Sequence, residues 1–125
     1  MKKLYSLVES AGHPNFSALY RRLALGEQRF ASMRKLLAAV KREPPDFIVA
    51  EFFYGYSNDY AGITISNLDV LLYSLQKYAP DCRCIVLVAK EERDYVDQLQ
   101  NIFPLHEILI QPVSEAQMQA ALKKN

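Results

Sequence analysis

Asp46-Phe47-Ile48-Val49-Ala50-Glu51-Phe52-Phe53 decides how this chain is read. A strand turns its side chains alternately to two faces, and here both faces are apolar apart from one carboxylate, Glu51. Such a strand belongs in the middle of a parallel sheet that helices cover on both sides. Just upstream, Met33, Leu36, Leu37 and Val40 form a helical stripe. It has to stop near Arg42, because Pro44-Pro45 removes successive amide donors and restricts Glu43.

Working outward toward the N-terminus, Leu4-Tyr5-Ser6-Leu7-Val8 reads as a strand and Gly12-His13-Pro14-Asn15 as a loop. Phe16, Leu19 and Leu23 recur at helical spacing over residues 14–25, and Gly26 is placed to end that helix. Residues 27–31 are the only place for a second strand and are expected to form a short one. Downstream of Glu51, Ser66-x-x-Asp69 has the form of a capping box ahead of Leu68, Leu71, Leu72 and Leu75. Cys84-Ile85-Val86-Leu87-Val88-Ala89 is a further buried strand, and Val96, Leu99 and Phe103 mark a helix closed by Pro104. Ile108-Leu109-Ile110 is the fifth strand, and Ser114-x-x-Gln117 caps a last helix with Met118, Ala121 and Leu122 facing inward.

Strand and helix thus alternate five times, which predicts one parallel sheet with right-handed crossovers and helices on both faces. At 125 residues the chain is expected to be a single domain over 1–125. Ligands of such sheets sit outside the carboxyl ends of the strands, where the strand order reverses. With the order 2-1-3-4-5 that rim holds Glu9, Ser10, Glu51, Val88, Ala89 and Gln111.

Composition narrows the function classes. Half the residues are apolar or aromatic and 23% are charged, as in soluble globular proteins. The apolar runs reach only strand length and the N-terminal one is too short for a signal peptide, so a cytoplasmic protein without a membrane span is expected. Cys82 and Cys84 read as reduced, ordinary residues rather than zinc ligands. Gly12, Gly26, Gly55 and Gly62 are isolated, so no phosphate-cradling loop is present and no cofactor is expected. His13 and Glu9 lack a serine or cysteine nucleophile with an obvious partner, so no catalytic residue is assigned.

Charge is uneven. Residues 1–43 carry nine Lys/Arg against three Glu, a balance of +6, and residues 44–125 carry six against eleven acids, a balance of −5. Arg21, Arg22, Arg29, Arg34, Lys35, Lys41 and Arg42 form the case for nucleic acid. The lack of interleaved aromatics beyond Tyr20 and Phe30, and of a helix-turn-helix, argues against it.

In order and spacing, several segments resemble the receiver domains of two-component signalling, the CheY-like family. Pro45-Asp46-Phe47-Ile48-Val49-Ala50-Glu51 is similar to the segment leading to that family's phosphorylated aspartate. Ala79-Pro80-Asp81 with Ile85-Val86-Leu87-Val88-Ala89 is similar to its passage into strand four, and Leu109-Ile110-Gln111-Pro112-Val113 to the segment bearing its lysine-proline pair. The resemblance implies a flavodoxin-like, three-layer α/β fold of five parallel strands.

It also implies a degenerate site. Glu51 stands where the family has its phosphoaccepting aspartate, Glu9 and Ser10 where it has its magnesium-binding acids, Val88 where it has Thr or Ser, and Gln111 where it has lysine. Ile108 takes the place of its aromatic switch. Phosphoryl transfer relies on a metal and a cation to neutralise charge, and these replacements remove that machinery, so no metal is expected. Glu51 is expected to be a solvated rim carboxylate bonded to nearby backbone.

The segment after Glu51 is longer than the family's, and its Phe53, Tyr54, Tyr56 and Tyr60 are partner-binding candidates or a plug over the old site. The reading is therefore a pseudo-receiver, a phosphorylation-independent signalling or scaffolding module that is not an enzyme. It acts by protein contact, with a homodimer among the expected partners. The alternatives are a divergent phosphoacceptor or small enzyme using Glu9 and Glu51, and a nucleic-acid-associated regulator using the basic N-terminal third.

Overall fold

The computed structural model of the chain describes residues 1–55 and 65–124. Five parallel strands form one sheet: β1 (Lys2–Leu7), β2 (Leu25–Phe30), β3 (Phe47–Glu51), β4 (Arg83–Val88) and β5 (Glu107–Ile110). Their order is β2-β1-β3-β4-β5, as expected, with β3 between β1 and β4. The longer helices are α1 (Ser17–Arg22), α2 (Met33–Arg42), α3 (Asp69–Tyr78) and, at the C-terminus, α5 (Glu115–Lys123). A short α4 (Arg93–Val96) lies between α3 and α5.

Every residue of β3 is buried. Its alternation divides the core in two. Ile48 and Ala50 join the α2–α3 layer with Leu36, Leu71, Leu72 and Leu75. Phe47 and Val49 join the α1–α5 layer with Leu19, Met118 and Leu122. Cys82 and Cys84 are both buried free thiols in the α2–α3 layer.

The second strand forms, but over Leu25–Phe30, slightly ahead of the expected 27–31. Its sequence is weakly strand-like, and neighbouring side chains hold it. The Glu27 carboxylate accepts hydrogen bonds from Ser6 Oγ at 2.8 Å and Ser17 Oγ at 2.5 Å. Phe30 packs edge-on against Tyr5, with ring centroids 5.1 Å apart.

Three expectations need correction. The first helix is only six residues long, and it is not closed by Gly26, which lies inside β2. The chain reverses at Ala24, whose φ is +59°. The helix expected around Val96, Leu99 and Phe103 is broken into a 3-10 turn at Lys90–Glu92, α4 and a second 3-10 turn at Asp97–Asn101. A spacing of three suits a 3-10 turn as well as an α-helix, so Val96 and Leu99 are buried in either. Finally, the Ser66/Asp69 pair caps the turn before α3 rather than the helix itself. Ser66 Oγ accepts from the Leu68 N–H at 3.0 Å, and the Asp69 carboxylate accepts from the N–H groups of Ile65 and Ser66. The Ser114/Gln117 capping box of α5 is present with both of its bonds.

Ala24 is the one described non-glycine residue with positive φ. For an alanine that conformation costs about 1–2 kcal/mol, part of which glycine would return as extra freedom of the unfolded chain. Ala24→Gly should therefore raise stability by about 0.5–1 kcal/mol. A urea melt beside the parent checks this, and a lower midpoint refutes it.

Candidate functional site at the carboxyl rim of the sheet

Glu51 ends β3 and is 2% exposed, so it is not the solvated carboxylate expected from sequence. Among the described residues no backbone N–H donates to its carboxylate. Ser10 Oγ, from the loop after β1, lies 3.0 and 2.8 Å from its two oxygens, and Gln111 Nε2, after β5, donates at 3.3 Å. A carboxylate withdrawn from water needs such donors, because an unpaired buried charge is strongly unfavourable.

His13 completes the enclosure. Its side chain is 2% exposed, and Nδ1 lies 3.4 Å from Glu51 Oε1 without the alignment of a hydrogen bond, so this buried nitrogen has no hydrogen-bond partner among the described residues. Burial holds the imidazole pKa below its ordinary value, although the nearby Glu51 charge pulls the other way.

Asn67, just before α3, ties the rim together. Its Nδ2 donates to the Glu51 backbone carbonyl at 2.9 Å and to Glu9 Oε1 at 2.7 Å, while its Oδ1 accepts from the Phe53 N–H at 2.7 Å. Partial burial of the Glu9 carboxylate raises its pKa, against the effect of the Asn67 bond, and the Glu51 charge adds to the rise.

Of the residues assigned to the rim, Ser10, Glu51 and Gln111 thus meet directly, and Glu9 joins them through Asn67. Val88, the last residue of β4, is fully buried with its side chain in the α2–α3 core, and its backbone carbonyl accepts the Gln111 N–H at 2.9 Å. Asn67 and His13 were not assigned to the site from sequence. Neither sits on a periodic pattern, and only the fold brings loops separated by 58 residues together at the Glu9–Asn67 bond. Beside the rim an open groove of about 410 Å³ runs between Gly12, Pro14, Ala89, Lys90 and the cis Gln111–Pro112 pair. Among the described residues no three of His, Cys, Asp and Glu come together as a metal-binding group.

The aromatic segment separates into parts. Phe52 is a core residue and Phe53 is half-buried. Tyr54 is 45% exposed, stacks on Tyr95 at a centroid distance of 4.0 Å and donates its backbone N–H to Glu92. It therefore does not plug the rim. Tyr56 and Tyr60 lie outside the described residues.

No family model matches the chain, and no curated protein matches it. Solved structures do. A putative response regulator from Chloroflexus aurantiacus is 12% identical with a TM-score of 0.74, covering 98% of this chain and 94% of its own. A Burkholderia pseudomallei response regulator, solved with a phosphorylated aspartic acid, a calcium ion and citrate, is 19% identical with a TM-score of 0.69, covering 100% and 68%. A structure described as an adenylate cyclase from Rhodopirellula baltica is 14% identical with a TM-score of 0.69, covering 97% and 84%. At these identities the likeness is one of fold: the chain has the CheY-like fold of response regulator receiver domains.

The buried His13 sets a pH dependence. Its pKa is depressed on folding, so its contribution to stability is complete above its unfolded value near 6.5 and is lost as pH falls through the folded value. Glu9, with a raised pKa, works in the opposite sense: its contribution is present below its unfolded value and is lost as pH rises through the folded one. Urea melts from pH 7.5 to pH 5 should therefore show the parent losing stability relative to His13→Gln as pH falls. Parallel curves for the two proteins refute the assignment.

Proposed function

We propose that this chain is a degenerate receiver, a single cytoplasmic domain over residues 1–125 that works by protein contact and independently of phosphorylation. The carrying observation is the state of Glu51. The carboxylate at the phosphoacceptor position is buried and already bonded by Ser10 and Gln111, and its amide donor brings no positive charge. Attack on a phosphoryl donor needs an accessible oxygen and a cation beside it. Among the described residues, Lys90 in the neighbouring groove forms no ion pair with Glu51.

The experiment is incubation with acetyl phosphate, with and without magnesium, followed by intact mass measurement. The expected result is an unchanged mass. A hydroxylamine-labile phosphoryl adduct mapping to Glu51 overturns the reading in favour of a divergent phosphoacceptor.

For the contact surface, the exposed Tyr54–Tyr95 stack is the best described candidate, since aromatic side chains give large contact area at low entropic cost. A second copy is one partner within this reading, supported by Ile110, which is 43% exposed on the edge strand β5. Replacing Tyr54 and Tyr95 by serine should lower the melting temperature only modestly, because both rings are partly exposed and a stacked pair is worth about 0.5–1.5 kcal/mol. The same change should abolish capture of the partner from host lysate. Sedimentation of both proteins separates a second copy from a different protein, and undiminished capture removes the stack from the interface.

A further inference from the structure

The outer face of α2 is built from cations. Arg34, Lys35, Lys41 and Arg42 are exposed, while Met33, Leu36, Ala39 and Val40 turn into the core. Ala38 is the remaining exposed residue of the helix, which has no acidic residue. None of the four cations makes an ion pair among the described residues. Glu43, the carboxylate that follows Arg42, is held by Lys3 at 2.7 Å. Seven residues separate Arg34 from Lys41, two helical turns or about 10 Å, so the positive charge forms a ridge rather than a point.

The fold sets one aromatic ring beside this ridge that is remote from it in sequence, and a second on the outer face of the adjoining helix. Tyr78 of α3 lies within cation–π range of Lys41, 5.7 Å from the ring centroid, and of Lys77, at 5.2 Å. Tyr73, four residues before Lys77 and so on the same outer face of α3, is 58% exposed. The absence of interleaved aromatics had argued against nucleic acid when only the N-terminal third was read. The missing rings are supplied by α3.

We propose that the α2–α3 face binds single-stranded nucleic acid, its cations tracking the phosphates and Tyr73 offering a ring for a base to stack on. An unpaired ridge of cations is complementary to a phosphate backbone, and an exposed aromatic on the outer face of the adjoining α3 suits unpaired bases, which present their faces. An acidic protein would use the charges but gain nothing particular from Tyr73, and an anionic membrane would meet a helix whose apolar side is already buried. The surface is separate from the Glu51 rim and does not depend on how the rim is read.

The test is fluorescence anisotropy of a labelled oligothymidylate with the full chain. Binding should weaken between about 50 and 200 mM salt with a log–log slope near −3, as expected for roughly four phosphate contacts on a single strand. Arg34→Glu combined with Lys41→Glu should weaken binding at least about tenfold, and Tyr73→Ala about fivefold or more, with the melting temperatures of both variants showing that they fold. No salt-sensitive binding by the parent overturns the proposal. So does a parent that binds polyglutamate or anionic vesicles as tightly as the oligonucleotide, with Tyr73→Ala indifferent to all of them.

Discussion

A carboxylate buried at the end of the central strand is the constraint around which the rim is organised. Glu51 lies in the segment with the most complete burial in the fold, so its charge has to be met by donors from other loops. Ser10 and Gln111 meet it from the neighbouring connections, and Asn67 secures the backbone carbonyl of the same residue. Hydrogen bonds to a charged group are worth about 1.5–3 kcal/mol each, a large share of the margin by which a domain of this size is folded. The rim therefore serves the fold in a place where open α/β sheets usually present an accessible site.

That arrangement leaves the two helical layers with different surfaces. On the α1–α5 side two cations are paired, Arg22 with Glu115 and Lys124 with Glu107. On the other side, α2 forms no ion pair among the described residues. Four of the nine Lys/Arg of residues 1–43 thus gather on one helix face.

What could be read beforehand follows from which interactions are local. The central strands were legible because burial on both faces writes an unbroken apolar run, as in Ile85-Val86-Leu87-Val88. The α5 cap was legible because Ser114 and Gln117 interact within one turn. β2 was nearly illegible, since Glu27 and Arg29 are poor strand residues and the strand is held by Ser6, Ser17 and Tyr5 from elsewhere in the chain. The break around α4 was invisible because 3-10 and α turns bury residues at overlapping spacings. At the rim, Ser10, Glu51 and Gln111 could be placed from strand ends alone. The burial of Glu51, the inward turn of His13 and the clamp by Asn67 depend on loop paths that no periodicity encodes.

The stack of Tyr54 on Tyr95 has a spectroscopic consequence. The chain contains eight tyrosines and no tryptophan, so no indole contributes to its near-ultraviolet signal, which comes chiefly from phenol rings. Two such rings with centroids 4.0 Å apart and planes inclined by 19° are close enough for their transitions to couple. Near-ultraviolet circular dichroism should carry the signature of this pair, which joins the segment after β3 to α4. The protein thus has an intrinsic optical label at that junction, one that reports whether the two segments stay docked without any attached dye.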